Sequence, residues 1–352
     1  MLISKPTKKL EGDLNRMKKQ TIVKKLIITV ITSLVLLPAL SYAEDIYIQA
    51  DKQTFDGKTT IFEGTSNKVN VDYQNINVKS PKVIVKTDNT GKTETATFLN
   101  GAHAVKKDGT SQSELKANII NLSLLKNRIK AEGKAESSVF ENKKPIVHIT
   151  AATQEFDITK NIIIATDNVK INYQEINTKS NKARISMDDN GNLKKVELLG
   201  NAVVNQDKSI IKADDVLYNP ITNEMVAYGN VKSITILDDG TPVDITSEFQ
   251  QYDKTTQTLI TSGHVKIKYK EYIATGPKAT FVPDATSAKT NKSSKPNKII
   301  FTGRAKIIEG ERHVEADRIE ITVNPKDFKA DGNVKTRFTQ VQSIKEMKKQ
   351  KS

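Results

Sequence analysis

An all-β fold, built by stacking about nine short units, is predicted by three features of the sequence. The chain repeats itself at two periods, its apolar residues alternate with polar ones, and no long helical period runs through any segment after the N-terminus. Composition agrees. Hydrophobic residues are 37% and charged residues 27% of the 352, so the chain as a whole is neither disordered nor membrane-embedded. Trp and Cys are absent and aromatics are only 5%, which favours a thin repetitive core of Val, Ile, Leu and Ala. Without Cys, disulfides, iron–sulfur clusters and cysteine zinc sites are excluded.

The long period is near 100 residues and occurs three times, dividing the chain into about 44–146, 147–242 and 243–338. Three stretches align without gaps from Glu114, Ile210 and His313, and their glycines are Gly133, Gly229 and Gly332. A second set, VDYQNINVKSPK from Val71, INYQEINTKSNK from Ile171 and IKYKEYIATGPK from Ile267, aligns Tyr73, Tyr173 and Tyr269. A third set starts at Ile46, Val147 and Val243. A shorter period of 29 to 34 residues lies inside the long one, marked by Gly-x-Ala or Gly-x-Val at Gly133, Gly200, Gly229, Gly263, Gly303 and Gly332, with Gly101 a weaker copy. Asp167-Asn168-Val169 fills the slot between Gly133 and Gly200. Asp and Asn best tolerate a left-handed backbone after Gly, so the slot is expected to demand positive φ, as at a turn or G1 bulge. With a first unit near Asn67, nine units of about 30 residues result. One spacing of 40, between Gly263 and Gly303, holds Asp284–Asn297 (DATSAKTNKSSKPN), which reads as a flexible loop inserted into one unit.

The elements follow along the chain. Lys18, Lys19, Lys24 and Lys25 precede an apolar run from Leu26 to Leu40, and Ser41-Tyr42-Ala43 forms a small-residue cleavage site before Glu44. Residues 1–43 thus read as an export signal cleaved after Ala43, and a start at Met17 would give it a more ordinary length. The alternative is an uncleaved inner-membrane anchor, although the run is short of the ~20 residues a span needs. Residues 44–338 form the repeats. Val69, Val71 and Tyr73, then Val169, Ile171 and Tyr173, then Val265, Ile267 and Tyr269 alternate with polar residues, the pattern of half-buried strands. Asp56-Gly57, Asp108-Gly109, Asn190-Gly191 and Asp239-Gly240 mark turns between them, giving each unit about two strands. No unit can bury its apolar face alone, so the units stack into an elongated β-jelly-roll, β-taco or solenoid with open terminal edges. Residues 339–352 read as a basic disordered tail. Its KEMKKQK run from Lys345 is either a solvated frayed end or an attractor of phosphate-rich headgroups. Of the net charge of +14, residues 1–43 carry eight basic and two acidic groups, leaving 14 − 6 = +8 after cleavage. That modest surplus in an exported chain makes nucleic acid a poor partner.

The recurring A-D…G-N-V pattern is seen in Ala50-Asp51…Phe55, Ala213-Asp214…Tyr218…Gly229-Asn230-Val231 and Ala316-Asp317…Gly332-Asn333-Val334. In series it resembles the OstA/LptA family of periplasmic lipopolysaccharide-transport proteins, over residues 46–338. The resemblance implies a β-jelly-roll that carries lipid A acyl chains in an apolar groove across the periplasm. It also implies edge-strand pairing with inner-membrane and outer-membrane lipopolysaccharide-transport proteins, or head to tail with itself. The chain departs from the short family members in being about twice their length, and no C-terminal outer-membrane barrel is expected after Val334. About 18 stacked strands at ~4.8 Å would reach on the order of 80 Å.

In such a fold core and lipid site share one surface. The candidate groove residues are therefore Val69, Val71, Tyr73, Val169, Ile171, Tyr173, Val265, Ile267 and Tyr269, with the tyrosines read either as caps on the core or as flanks of a groove. No catalytic residue, metal or cofactor is expected. The four His, at 103, 148, 264 and 313, sit at non-equivalent places in the repeat. His313, Glu315 and Asp317 share a strand face, which reads as a solvated face ahead of a metal trio. Asp188-Asp189 and Asp238-Asp239 precede turns. The expected function is a lipid-binding bridge for lipopolysaccharide or a related outer-leaflet glycolipid. The alternative is a structural or adhesive envelope repeat protein, or an outer-membrane assembly factor, without lipid cargo.

Overall fold

In the computed structural model the described residues are 46–339, apart from 66–67, 74, 110, 174, 189–192, 237–239, 284–295 and 323–326. The export segment, the position near Asn67, most of the inserted stretch and the basic tail from residue 340 lie outside them. Among the described residues there are 24 strands and no helix, and every pairing given is antiparallel. The chain divides into two units, 1–200 and 201–352.

Unit 1 begins with ten short strands: β1 (Tyr47–Gln49), β2 (Lys52–Asp56), β3 (Thr59–Glu63), β4 (Val69–Tyr73), β5 (Ile76–Ser80), β6 (Lys82–Thr87), β7 (Thr93–Leu99), β8 (Ala102–Asp108), β9 (Ser111–Ala117) and β10 (Ile119–Ser123). Four long ones follow: β11 (Arg128–Glu141), β12 (Lys144–Asp157), β13 (Ile162–Tyr173) and β14 (Ile176–Met187), with β15 (Leu193–Gln206) after them. The pairings show that two short strands equal one long strand. The first half of β11 pairs with β10 and its second half with β9. Each strand is thus folded at a corner in its middle, and its halves belong to two facing walls. Wall I holds β2, β3, β6, β7, β10 and the halves of β11–β14 that pair with them in series. Wall II holds β1, β4, β5, β8, β9 and the other halves.

Unit 2 repeats the scheme with β16 (Ser209–Asn219), β17 (Glu224–Ile236), β18 (Pro242–Asp253), β19 (Thr258–Tyr269), β20 (Tyr272–Pro283), β21 (Pro296–Glu309) and β22 (Arg312–Thr322). It ends in β23 (Asp327–Asp331) and β24 (Lys335–Phe338), which pair with the two halves of β22. Its wall I contains Glu224–Tyr228 and Thr258–Ser262, and its wall II contains Val231–Ile236 and Val265–Tyr269. The inserted stretch meets β21 at Pro296, so its last two residues are strand.

The corners explain the glycine series. Gly133 and Lys134 (φ 76° and 54°), Asp167 and Asn168 (63° and 53°), Gly229 and Asn230 (69° and 46°), and Gly263 and His264 (78° and 50°) are consecutive left-handed residues. The positive φ expected at the Gly/Asp slot is there, but it is one of two in a row, within a strand and not at a turn. The ladder slips at each such pair, for instance between Glu132 and Ala135 and between Ser262 and Val265. At the weak copy the pair is shifted by one, to Asn100 and Gly101.

The A-D…G-N-V motif is the same corner seen across two strands. Asn230 Nδ2 donates to Asp214 Oδ2 (3.0 Å), and Asn333 Nδ2 donates to Asp317 Oδ2 (2.7 Å). His264 Nδ1 lies 2.7 Å from Glu248 Oε1 in the equivalent place. The two partners are 16 residues apart each time. The Ala before the acid, Ala213 or Ala316, is buried inside the corner.

Small side chains fill the wedge where the walls converge: Ala131, Ala135, Ala165 and Ala183 in unit 1, and Ala279 and Ala305 in unit 2. Larger ones follow outward, such as Ile163 and Val139 or Phe281 and Ile307. Buried hydroxyls and amides stitch the corners. Ser80 Oγ donates to Leu99 O (2.6 Å) with Lys82 O also in reach (2.9 Å), and Ser180 Oγ donates to Lys182 O (3.0 Å).

The outer faces carry ion pairs: Glu63 with Lys82 (2.8 Å), Glu315 with Lys306 (2.8 Å), and Glu320 with Lys298 (2.6 Å) and Arg318 (3.1 Å). Hydrogen bonds from Lys82, Lys306 and Lys298 respectively, then the attraction of these charges, hold the three carboxyls below their ordinary value of 4.5. Groups depressed on folding stabilise the native state above the unfolded value and lose that contribution as pH falls through the folded one. The thermal midpoint should therefore stay level from pH 7 to 5 and fall below about pH 4.5. A midpoint that rises on acidification to pH 3 contradicts this account.

Candidate functional site

The interior of each wedge is the candidate site, and wall II presents the predicted ladders to it. Val69 and Val71 on β4, Val169 and Ile171 on β13, and Val265 and Ile267 on β19 are all buried, whereas the residues between them are not. Tyr73, Tyr173 and Tyr269 end these strands and are half-buried. Every ladder thus runs from a sealed corner to an accessible lip. The ladders of unit 1 do not form one pocket. Paired residues lead from Tyr73 through Ile76, Lys106, Ser113, Val139 and Val147 to Tyr173, six strands along the wall. At ~4.8 Å per strand the two tyrosines are about 29 Å apart.

In unit 2 the two walls leave a cavity of about 20 Å³ between them. Ile267, Tyr269, Tyr272 and Ala274 line it from wall II, and Ile299, Ile321 and Thr322 from wall I. Such a space holds about one water molecule, so a larger guest must part the lips. Tyr272 Oη donates to Glu309 Oε1 (2.5 Å), anchoring the phenol at the lip. At the end of the unit the Arg312 guanidinium stacks on Phe328 of wall I (4.6 Å) and lies 5.9 Å from Phe338 of wall II. Burial pushes the Tyr218 and Tyr252 phenols upward, the latter helped by the Asp253 charge, so both remain neutral hydrogen-bonding groups near neutral pH.

The wall I partners escape a reading of the sequence because their outward positions are apolar as well. In Ile162-Ile163-Ile164-Ala165, only Ile163 and Ala165 are buried. Also missed is a buried glutamine. Gln154 is fully buried, donates to Ala135 O (3.0 Å) and Ile149 O (3.1 Å), and accepts from Ser137 Oγ (2.7 Å). Gln250 takes the same place in unit 2 and donates to Ser247 Oγ (3.3 Å). The signal was present in the third repeat set, where Gln53, Gln154 and Gln250 align.

The suspected trio on β22 is otherwise engaged. Glu315 pairs with Lys306, Asp317 accepts from Asn333, and the inward residues of that strand are Val314 and Ala316. Among the described residues no group of three or more His, Asp or Glu is arranged to hold a metal.

No family model matches the chain, and no curated protein matches it. Among solved structures the chain is similar to LptH, described as the LptA-homologous periplasmic component of the lipopolysaccharide transport device of Pseudomonas aeruginosa. The likeness is at 19% identity and a TM-score of 0.30, covering 35% of this chain and 82% of that one.

Proposed function

We propose that the wedge is an apolar trough that holds acyl chains. On this reading the protein is an exported, non-enzymatic bridge carrying lipopolysaccharide or a related outer-leaflet glycolipid from the inner to the outer membrane. The observation that carries this reading is the graded ladder: each inward row is sealed at the corner and half-accessible at the lip. A core built only for stability has no need to end in a row where side chains such as Tyr73, Ile76, Val147 and Tyr173 stay half-accessible. An acyl chain lying along the walls covers that row and gains roughly 0.8 kcal/mol per methylene buried. The sequence resemblance to the OstA/LptA family and the export-like N-terminus support the same reading. Partners would be envelope proteins of related fold. β1–β2 and β23–β24 pair on one side only among the described strands, so their other edges suit strand addition.

A photoreactive amino acid at Ile267 should crosslink to lipopolysaccharide, and one at the outward Lys266 should not. Ile267→Asp should lower the lipid recovered with the purified protein roughly tenfold, because an unpaired carboxylate would face the chains. Crosslinks confined to Lys266, or wild-type protein that recovers no lipid, would point to a structural envelope repeat protein.

A further inference from the structure

The repeat supplies its own control for the outward positions of wall II. In the first superrepeat Lys116 of β9 stands opposite Glu136 of β11, and in the last Glu315 of β22 stands opposite Lys335 of β24. The aligned residues of the middle superrepeat are Lys212 of β16 and Lys232 of β17, which face each other with like charge. One row nearer the lip, Glu114 faces Ser138 and His313 faces Arg337, whereas the middle superrepeat sets Ile210 against Ile234. All four of these middle residues are exposed, the isoleucines by 39% and 40%. Two strands on from Lys232, past Thr246, the exposed Lys266 of β19 continues the basic row, and Lys268 lies beyond it on the same strand. Among the described residues none of Lys212, Lys232, Lys266 and Lys268 is in an ion pair.

Like charges directly opposite each other weaken a sheet, and here they replace the opposite charges that the flanking superrepeats place at the same row. The paired isoleucines likewise replace polar residues on a face turned to solvent. Both departures suit a partner that is negative at its surface and apolar just beneath. The outer face of wall I in the same unit is balanced instead, with Glu320 held by Lys298 and Arg318. We infer that the outer face of wall II in unit 2, centred on Lys212, Lys232, Ile210 and Ile234, docks on an anionic bilayer surface. The lysines meet lipid phosphates as point charges on flexible stems, which need no shaped pocket. Each contributes about fivefold in partitioning near such a surface. The isoleucines between them reach the boundary of headgroups and acyl chains. This role goes beyond the trough reading and does not depend on it, since it uses the opposite side of the wall.

The test sediments the full mature chain with vesicles of phosphatidylcholine alone or with about one-third phosphatidylglycerol, and measures binding to soluble polyglutamate alongside. Wild type should partition onto the anionic vesicles about tenfold or more over the neutral ones, and less so as salt rises. Lys232→Glu recreates the opposite-charge pair of the flanking superrepeats, so it should keep the thermal midpoint and lose about tenfold or more of the anionic partitioning. Lys170→Glu makes the same change of net charge on β13 of unit 1 and should lose no more than about twofold. Ile234→Ser, which copies Ser138, should weaken partitioning roughly threefold without altering its salt dependence. Equal losses in Lys232→Glu and Lys170→Glu, or wild type with no preference for anionic vesicles, overturn the inference. So does wild type that ignores both vesicles and binds polyglutamate, which would give this face to an acidic protein.

Discussion

Phe301→Ala should destabilise unit 2 by about 3–5 kcal/mol, lowering the thermal midpoint by roughly 10 °C. Phe301 is fully buried on β21, in wall I, and reaches across the wedge to Gly276 on β20, in wall II. A Cβ placed on Gly276 would stand 3.1 Å from Phe301 Cδ1 and 3.7 Å from Ala305 Cα. The large ring and the missing side chain are two halves of one packing solution. The positions aligned with Gly276 in the other superrepeats are Ser80 and Ser180. Gly276→Ala alone should therefore cost about 1 kcal/mol through overpacking. Combined with Phe301→Ala, the same methyl should fill part of the void and restore stability. A double-mutant cycle by urea denaturation should show a coupling of at least ~1 kcal/mol. Strict additivity would mean that the two residues do not share the space the structure gives them.

Gly133→Val should cost about 3 kcal/mol or more, whereas Asp167→Gly should fall within about 1 kcal/mol of wild type. Both residues hold the first left-handed position of a corner, at φ 76° and 63°. A Cβ at Gly133 would also meet Asn118 Cβ at 2.9 Å and Asn118 Nδ2 at 2.6 Å. A β-branched residue there suffers both the backbone strain and the collision. Asp167 already tolerates the backbone, so glycine relieves strain at the expense of a more flexible unfolded chain, and the two effects nearly cancel. Urea midpoints of the two variants check this directly, and equal losses would contradict the assignment of both to one kind of corner.

These corners show how far the sequence could be read. The first left-handed position was legible because glycine fills it repeatedly and Asp167, which tolerates it, replaces glycine between Gly133 and Gly200. The second was legible only in part: Asn168, Asn201, Asn230 and Asn333 suit it, whereas Lys134 and Arg304 also occupy it and have no preference for positive φ. Their backbone is imposed by pairing with neighbouring strands, which no local pattern records. The wall II ladders were legible because their outward neighbours are Asn, Asp and Lys. Wall I was not, because runs such as Ile162–Ala165 blur the alternation on which the reading depends. The burial of Lys106 on β8 stayed hidden for the opposite reason: beside Lys107 it looks like one of two solvated lysines, and only the parity fixed by Ala102 and Ala104 sends it inward.

Within either unit the corners act as the spine of a book and the strand halves as its pages. Two consecutive left-handed residues occupy narrow torsional wells and are locked to the next strand through pairs such as Asn230 with Asp214. The spine is therefore stiff. The lips end in short turns, such as the two residues Asn142 and Lys143 between β11 and β12. Compliance must grow with distance from the spine, as it does along any lever. A guest wedged near the alanines would have to bend every page at its root, whereas one riding at the tyrosine level needs only their free margins to yield.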